Sequence, residues 1–133
     1  MRDEQSSVRS YRDLIVWQKS ISLAETVYQV TQAFPREEVY GLTSQMRRAA
    51  VSVASNIAEG NARQSRGEYL QFLGNARGSL AELYTQATIA ARLDLLRSDS
   101  EEQLVDQLDE IGRLLNALRS AIAAGQSSKR SDP

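Results

Sequence analysis

Five arginines near the middle of the chain offer the clearest chemistry in this sequence. Four lie in the segment SQMRRAAVSVASNIAEGNARQSRGEY (44–69) and one follows it: Arg47, Arg48, Arg63, Arg66 and Arg77. A guanidinium binds a phosphate through paired N–H···O bonds, so this region is a candidate nucleic-acid contact. The competing interpretation of Arg47 and Arg48 is a solvated surface, or salt bridges to Glu59 or to an acidic helix of a neighbouring subunit.

Catalysis has little support in the residue types. The chain has no histidine and no cysteine, which removes the commonest general base and most zinc ligands. Asn56 and Glu59, in the motif NIAEG, invite a catalytic interpretation. However, Asn56 can hydrogen-bond the backbone, Glu59 can pair with Arg63, and nothing in the spacing makes Glu59 converge with another carboxylate. We therefore expect no enzyme activity, no catalytic residue, no metal site and no cofactor.

Composition and charge fit one small domain. The 133 residues carry a net charge of −1. Residues 42–92 hold six Arg against three Glu, whereas residues 93–133 hold five basic and eight acidic side chains. Such a mildly basic middle permits anion binding but is weaker than the footprint typical of nucleic-acid proteins. No apolar run approaches the ~20 residues of a membrane span, so we expect a cytoplasmic protein without a membrane partner.

The polar ends of the chain predict disordered tails at 1–10 and 124–133 around a domain at 11–123. Within that domain, apolar spacing predicts four amphipathic helices. The first begins at an N-cap, Asp13, and ends by Phe34, because Pro35 disfavours helical geometry in the residue before it. It has two apolar stripes, as a helix with two partners does. The stripes are Leu14, Trp17, Ile21, Ala24 and Tyr28, and Val16, Leu23, Val27 and Val30.

The other three helices have clear start and stop signals. The second follows the turn FPREEVYG and ends at Gly60 in a left-handed conformation. The third opens at a capping box, Ser65–Glu68, and the fourth after a second box, Ser100–Gln103. The inward positions are Leu42, Met46, Ala49, Val53 and Ile57; Tyr69, Phe72, Leu73, Ala76, Leu80, Leu83, Ala87 and Ala90; and Leu104, Leu108, Ile111, Leu115, Leu118 and Ile122. Short connections predict an all-α, antiparallel up-down-up-down four-helix bundle.

Small residues lie outside these inward positions on the second and third helices. They are Ala50, Val51, Ala54, Ala58, Gly74 and Gly78. A glycine within a helix costs about 1 kcal/mol relative to Ala, so the two glycines predict a compensating close helix crossing, within the bundle or between subunits. The alternative is a ligand against the bare backbone. One core cannot absorb this small face together with the second stripe of the first helix, so we expect a homo-oligomer.

Three longer segments resemble a known family. They are YRDLIVWQKS, FPREEVYGLTSQMRRAAVSVASNIAEG and ARQSRGEYLQFLGNARGSLAEL. From about Tyr11 to Ile122, the chain closely resembles the small four-helix-bundle proteins encoded in intervening sequences of bacterial large-subunit ribosomal RNA genes. The accessory variability determinants of diversity-generating retroelements look like the same bundle.

The resemblance implies a ring-like homo-oligomer, typically a pentamer, with no known enzymatic activity. For the retroelement branch it implies binding of nucleic acid and of a reverse transcriptase through a basic surface; for the other members, function is largely unassigned. This chain departs from the pattern in two respects. Ala54 stands where many relatives carry proline, and a nearly neutral charge with an acidic last helix is poorer at holding nucleic acid.

These observations lead to one main hypothesis and two alternatives. The main one is a non-enzymatic homo-oligomeric bundle, pentameric by resemblance, that acts as a nucleic-acid-associated accessory protein and binds RNA or DNA through its arginines. The first alternative is a structural or protein-interaction scaffold without nucleic-acid binding. The second is a small-molecule-binding bundle that uses the gap at Gly74 and Gly78. The sequence identifies no protein partner.

Overall fold

A computed structural model describes residues 10–125 as four helices joined by short connections. The helices are α1 (Ile15–Thr31), α2 (Leu42–Asn61), α3 (Arg66–Arg92) and α4 (Ser98–Ala123). Short 3₁₀ turns at Tyr11–Asp13 and Arg36–Glu38 flank α1. This part of the chain contains no strand. Contacts join α1 to α2, α2 to α3, α3 to α4 and α4 back to α1, so the predicted all-α four-helix bundle is confirmed.

Large apolar side chains from all four helices fill the core. Those with the least exposure are Leu23, Val27, Met46, Val53, Ile57, Leu73, Leu83, Leu104, Ile111 and Leu115. Each buried side chain of this size stabilises the fold by roughly 1.5–3 kcal/mol. The predicted inward positions of α2, α3 and α4 are therefore confirmed, with only Leu42, Phe72 and Leu118 partly exposed.

The stripe of α1 that was expected to remain for a second partner is the more deeply buried one, although Leu14 of the first stripe also lies in the core. The core side carries Val16, Leu23 and Val27, from the stripe that was expected to remain for a second partner. Ile21 and Tyr28, from the other stripe, are exposed by 37% and 44%. Periodicity finds both stripes but does not rank them. The core side of α1 also accepts a polar residue, Ser20, because its hydroxyl donates to the Val16 carbonyl at 2.7 Å.

Two of the predicted helix starts are wrong and one is confirmed. Asp13 does not cap α1; it ends a 3₁₀ turn capped by Ser10, and α1 begins after Leu14. Ser65 does cap α3, because its hydroxyl accepts a hydrogen bond from the Glu68 N–H at 3.1 Å. Ser100 does not cap α4, which already begins at Ser98.

The N-cap of α4, Arg97, makes no capping hydrogen bond through its side chain, but the first turn contains a carboxylate. Asp99 accepts a hydrogen bond from the Ser100 N–H at 2.8 Å and another from Arg97 at 3.2 Å. The Arg97 guanidinium, through its hydrogen bond and its charge, lowers the pKa of Asp99. A carboxylate near the start of a helix interacts favourably with the positive end of the helix dipole. Asp99 therefore stabilises the first turn, a role that the sequence had assigned to Ser100.

Gly60 has a different role from the one predicted. It is not left-handed, because α2 continues through Asn61 and Gly60 is helical. A Cβ atom at Gly60 would lie 2.9 Å from the Phe72 Cβ, closer than real Cβ contacts come, and 3.1 Å from the Tyr69 Cδ1, which is tighter than most of them. Gly60 is therefore the position at which α2 and α3 approach closely.

The remaining small residues divide between core and surface. Ala50 and Ala54 are buried inside the bundle, Ala58 is partly buried, and Val51 is 44% exposed. The predicted disordered tails lie outside the described residues except for Ser10, Ala124 and Gly125, so tail disorder stays a prediction. None of the four helices is long and apolar enough to cross a membrane.

Candidate nucleic-acid interface

Arg47 is engaged inside the fold. Its Nε donates to the Thr31 Oγ1 at 2.9 Å, and its Nη2 donates to the Tyr28 carbonyl at 3.3 Å. The guanidinium also lies 4.5 Å from the centroid of the Tyr28 ring. A cation beside these last-turn carbonyls interacts favourably with the negative end of the α1 dipole. Arg47 therefore ties α2 to the end of α1, and we leave it out of the candidate site.

Replacing Arg47 with glutamine is expected to lower the free energy of unfolding by about 1–2 kcal/mol, because charge-assisted hydrogen bonds and a cation–π contact are lost. Arg48→Gln serves as the matched control, since Arg48 is exposed and adjacent in sequence. Denaturant unfolding of both variants measures the difference. Equal stability of the two variants would contradict the structural role assigned to Arg47.

Arg63 and Arg48 each lie near an acidic residue of the same subunit. Arg63 pairs with Glu59 at 3.1 Å, as the sequence predicted, and covers the ring of Phe72 at 4.8 Å. Arg48 shares a broad surface depression with Glu82, which carries the opposite charge. Asn56 bonds within its own helix, to the Ser52 carbonyl and hydroxyl. None of these contacts forms a catalytic arrangement.

Arg66 and Arg77 lie on the side of α3 that faces α4. They are eleven residues apart, close to three full helical turns, so they share one face. Arg77 lines a groove between the two helices together with Gly112 and Asn116 of α4. Arg66 lies at the end of the same groove, because a Cβ atom at Gly125 would be 3.4 Å from its Nη2. We call this feature the α3–α4 groove.

A third arginine, Arg119, belongs to the same groove. It follows Asn116 by three residues and Gly112 by seven, spacings that keep it on the face of α4 that lines the groove. Its Nε is buried without a hydrogen-bond partner. Within residues 10–125, Arg66, Arg77 and Arg119 form no ion pair with a carboxylate. The three guanidinium charges are therefore not neutralised by the bundle.

The part of the groove that holds the three arginines is free of acidic residues. Asp109, three residues before Gly112, lies on the same face of α4 beyond the end of this part. The α3 stretch 69–81 and the α4 stretch 111–125 contain no Asp and no Glu. The acidic residues that gave α4 its negative charge all precede Ile111. The sequence interpretation missed Arg119 because it treated the last helix as uniformly acidic. The charge of α4 changes from negative to positive at about Ile111, and this change in the sequence identifies Arg119.

The bundle as a whole also has a positively charged half and a negatively charged half. We define the basic half as residues 10–23, 52–79 and 111–125, where α1 and α3 begin and α2 and α4 end. Its seven cations are Arg12, Lys19, Arg63, Arg66, Arg77, Arg113 and Arg119, against Asp13, Glu59 and Glu68. The acidic half, residues 24–51 and 80–110, holds five cations and eleven carboxylates. Because α3 is ~40 Å long and charges are screened over ~8 Å, a ligand senses the two halves separately.

Gly74 and Gly78 lie at the open surface of the bundle. A Cβ atom at either position would meet no other atom within 4 Å. A close crossing within the bundle is therefore wrong for both, while a crossing between subunits stays a prediction. Gly74 precedes Arg77 by three residues, so bare backbone borders the row of arginines.

Within the described residues, no three His, Cys, Asp or Glu side chains are grouped so that they could hold a metal ion. The fold and the groove together define a small antiparallel helical bundle whose most distinctive surface is cationic. The chain belongs to the family of 23S rRNA-intervening sequence proteins, whose family model matches residues 12–117. This confirms the resemblance seen in the sequence.

A solved structure supports the same fold. The chain is similar to a protein of unknown function from the S23 ribosomal protein family of Bacteroides thetaiotaomicron VPI-5482, with a TM-score of 0.74. The two are 21% identical, and the match covers 80% of this chain and 96% of that one. At this identity the likeness shows the fold alone. No curated protein matches the sequence.

Proposed function

We propose that the protein is a non-enzymatic, homo-oligomeric accessory protein that binds nucleic acid through the α3–α4 groove. The observation that carries the proposal is the row of Arg66, Arg119 and Arg77 in a part of the groove without acidic residues. Phosphate contacts need cations that no protein carboxylate already neutralises.

The position of the groove also explains how a nearly neutral chain could bind a polyanion. The acidic half repels phosphates, so the phosphate contacts are confined to the basic half and to one orientation. Contacts to phosphate carry little sequence information, so binding is largely sequence-independent. Assembly into a ring would repeat the groove around one axis and raise the avidity without new contacts. A cytoplasmic location fits this role.

A second surface, separate from the α3–α4 groove, is available for self-association. Ile21 and Tyr28 on α1 and Val51 on α2 are exposed apolar residues, and Tyr28 and Val51 border one depression. Ala58 follows Val51 by two helical turns and extends the same strip. We call these four residues the α1–α2 outer face and propose that it joins subunits. Exposed apolar surface of this kind marks protein interfaces.

The nucleic-acid proposal is tested by a charge-matched pair of triple variants. Arg66, Arg77 and Arg119 are changed to glutamine in one, and the exposed Arg36, Arg48 and Arg92 of the acidic half in the other. Fluorescence anisotropy is measured with an RNA that contains both a stem and a loop. The groove variant should lose about tenfold in affinity, and its slope of log K against log salt should flatten by about 2–3.

The control variant changes the net charge by the same amount and should bind nearly as the wild type does. If both variants weaken binding equally, net charge rather than the groove governs the interaction. If the wild type does not bind between about 50 and 200 mM salt, the scaffold alternative replaces the proposal.

A further inference from the structure

We infer that the α3–α4 groove takes an unpaired strand of nucleic acid and holds one base in a pocket beside Arg77. This inference rests on the proposed function and adds the form of nucleic acid that the groove selects. The pocket has a volume of about 460 Å³, within the range of small-ligand sites. Its lining combines apolar, aromatic and polar side chains: Arg77, Leu80, Ala81, Tyr84, Thr85, Leu108, Gly112 and Asn116.

Tyr84 supplies the surface on which a base can stack. It lies two turns beyond Arg77 on α3, and 43% of the side chain is exposed although it borders a pocket. Tyrosine rings stack bases of any identity, which is how proteins bind single strands without reading sequence. A paired base is already stacked inside its duplex and does not present its face to a side chain.

The pocket has room for a base because two of its lining residues have a very small side chain or none. Gly112 has no side chain, and a Cβ atom there would meet no other atom within 4 Å. Ala81 contributes only a methyl group on the α3 side. Leu80 and Leu108 line the same space and give it an apolar floor suited to a planar ring.

Polar groups stand at the end of the pocket that faces the basic half. Asn116 carries both a donor and an acceptor, which suits the hydrogen-bonding edge of a base. Arg77 is placed for the phosphate of the same nucleotide, and Arg119 and Arg66 follow in the direction of the basic end. Arg66 and Arg77 are ~16 Å apart along α3, so the row has room for several successive phosphates.

Tyr84 lies just inside the acidic half, and the basic half itself offers no stacking surface that is equally open. The Phe72 ring is covered by the Arg63 guanidinium at 4.8 Å, and Tyr11 packs edge-on against Trp17 with ring centroids 5.2 Å apart. In the acidic half, the Tyr28 ring is similarly covered by the Arg47 guanidinium. Tyr84 is thus the aromatic side chain that borders the row of arginines.

Three single variants test the inference by anisotropy with a short single-stranded RNA, a single-stranded DNA of the same sequence and the corresponding duplex. Tyr84→Ala should weaken binding of both single strands by about five- to a hundredfold and leave duplex binding unchanged. Tyr84→Phe keeps the ring and should retain most of the affinity. Gly112→Leu fills the pocket at an open helical position, so it should block single strands without loss of thermal stability.

Tyr40→Ala is the matched control, because Tyr40 is a 95% exposed tyrosine in the acidic half, outside the groove. It should bind both single strands as the wild type does. If the wild type binds but Tyr84→Ala and Gly112→Leu leave single-strand affinity unchanged, the pocket is overturned and the proposed function stands. If the wild type binds neither single strands nor duplex, both are overturned.

Discussion

Replacing Gly60 with valine should lower the free energy of unfolding by about 3 kcal/mol, the upper end of what overpacking a core usually costs. The added Cβ would lie 2.9 Å from the Phe72 Cβ and 3.1 Å from the Tyr69 ring. Neither neighbour can move away easily, because the Phe72 Cβ is fixed to the α3 backbone and Tyr69 is buried. Relief therefore requires α2 and α3 to separate. Denaturant unfolding followed by circular dichroism measures the loss.

Gly78→Ala is the matched control for this prediction. Gly78 is also a helical glycine, but a Cβ atom there meets nothing within 4 Å. Alanine should therefore stabilise α3 by up to about 1 kcal/mol through helix propensity alone. Opposite signs at the two glycines would show that packing and not glycine content decides the effect. Destabilisation by Gly78→Ala would instead indicate that another subunit packs against this position.

The two glycine positions also show which structural features the sequence predicts and which it does not. Apolar periodicity predicted the four helices and most of the core, because a buried stripe must repeat every 3.6 residues. The propensity cost of glycine placed the close crossing at Gly74 and Gly78, and the preference of glycine for helix ends assigned Gly60 to the end of α2. Which glycine faces a neighbouring helix depends on helix rotation and crossing angle, and one-dimensional spacing does not contain these quantities.

The candidate site was predicted only in part for a similar reason. Arg66 and Arg77 were found from residue type, and the groove brings them together. Arg47 was grouped with them although its guanidinium closes the end of α1. Arg119 and Tyr84 were missed as site residues, since their partners lie on the other helix of an antiparallel pair. Arg77 and Asn116 are 39 residues apart in sequence, and Tyr84 and Gly112 are 28 apart, so the two walls meet only after the bundle forms.

Val51→Glu is expected to convert the assembled protein into monomers without unfolding it. Val51 is 44% exposed in one subunit, so the bundle itself tolerates a charge at this position. If the α1–α2 outer face joins subunits, the carboxylate would be desolvated at each contact at a cost of several kcal/mol, of which Arg48, one turn back in the same depression, offsets only a part. Light scattering at micromolar concentration measures the mass, and circular dichroism checks that the helices remain.

Ile89→Glu provides the control, because Ile89 is exposed to the same extent as Val51 but lies on α3. It should leave the mass unchanged. A monomeric wild type would remove the basis for self-association, and an assembled Val51→Glu variant would place the interface elsewhere. The nucleic-acid titration links the two surfaces: the monomeric variant keeps each groove intact but loses the repetition of that groove. Its affinity should therefore fall although no arginine has changed, whereas Ile89→Glu should bind as the wild type does.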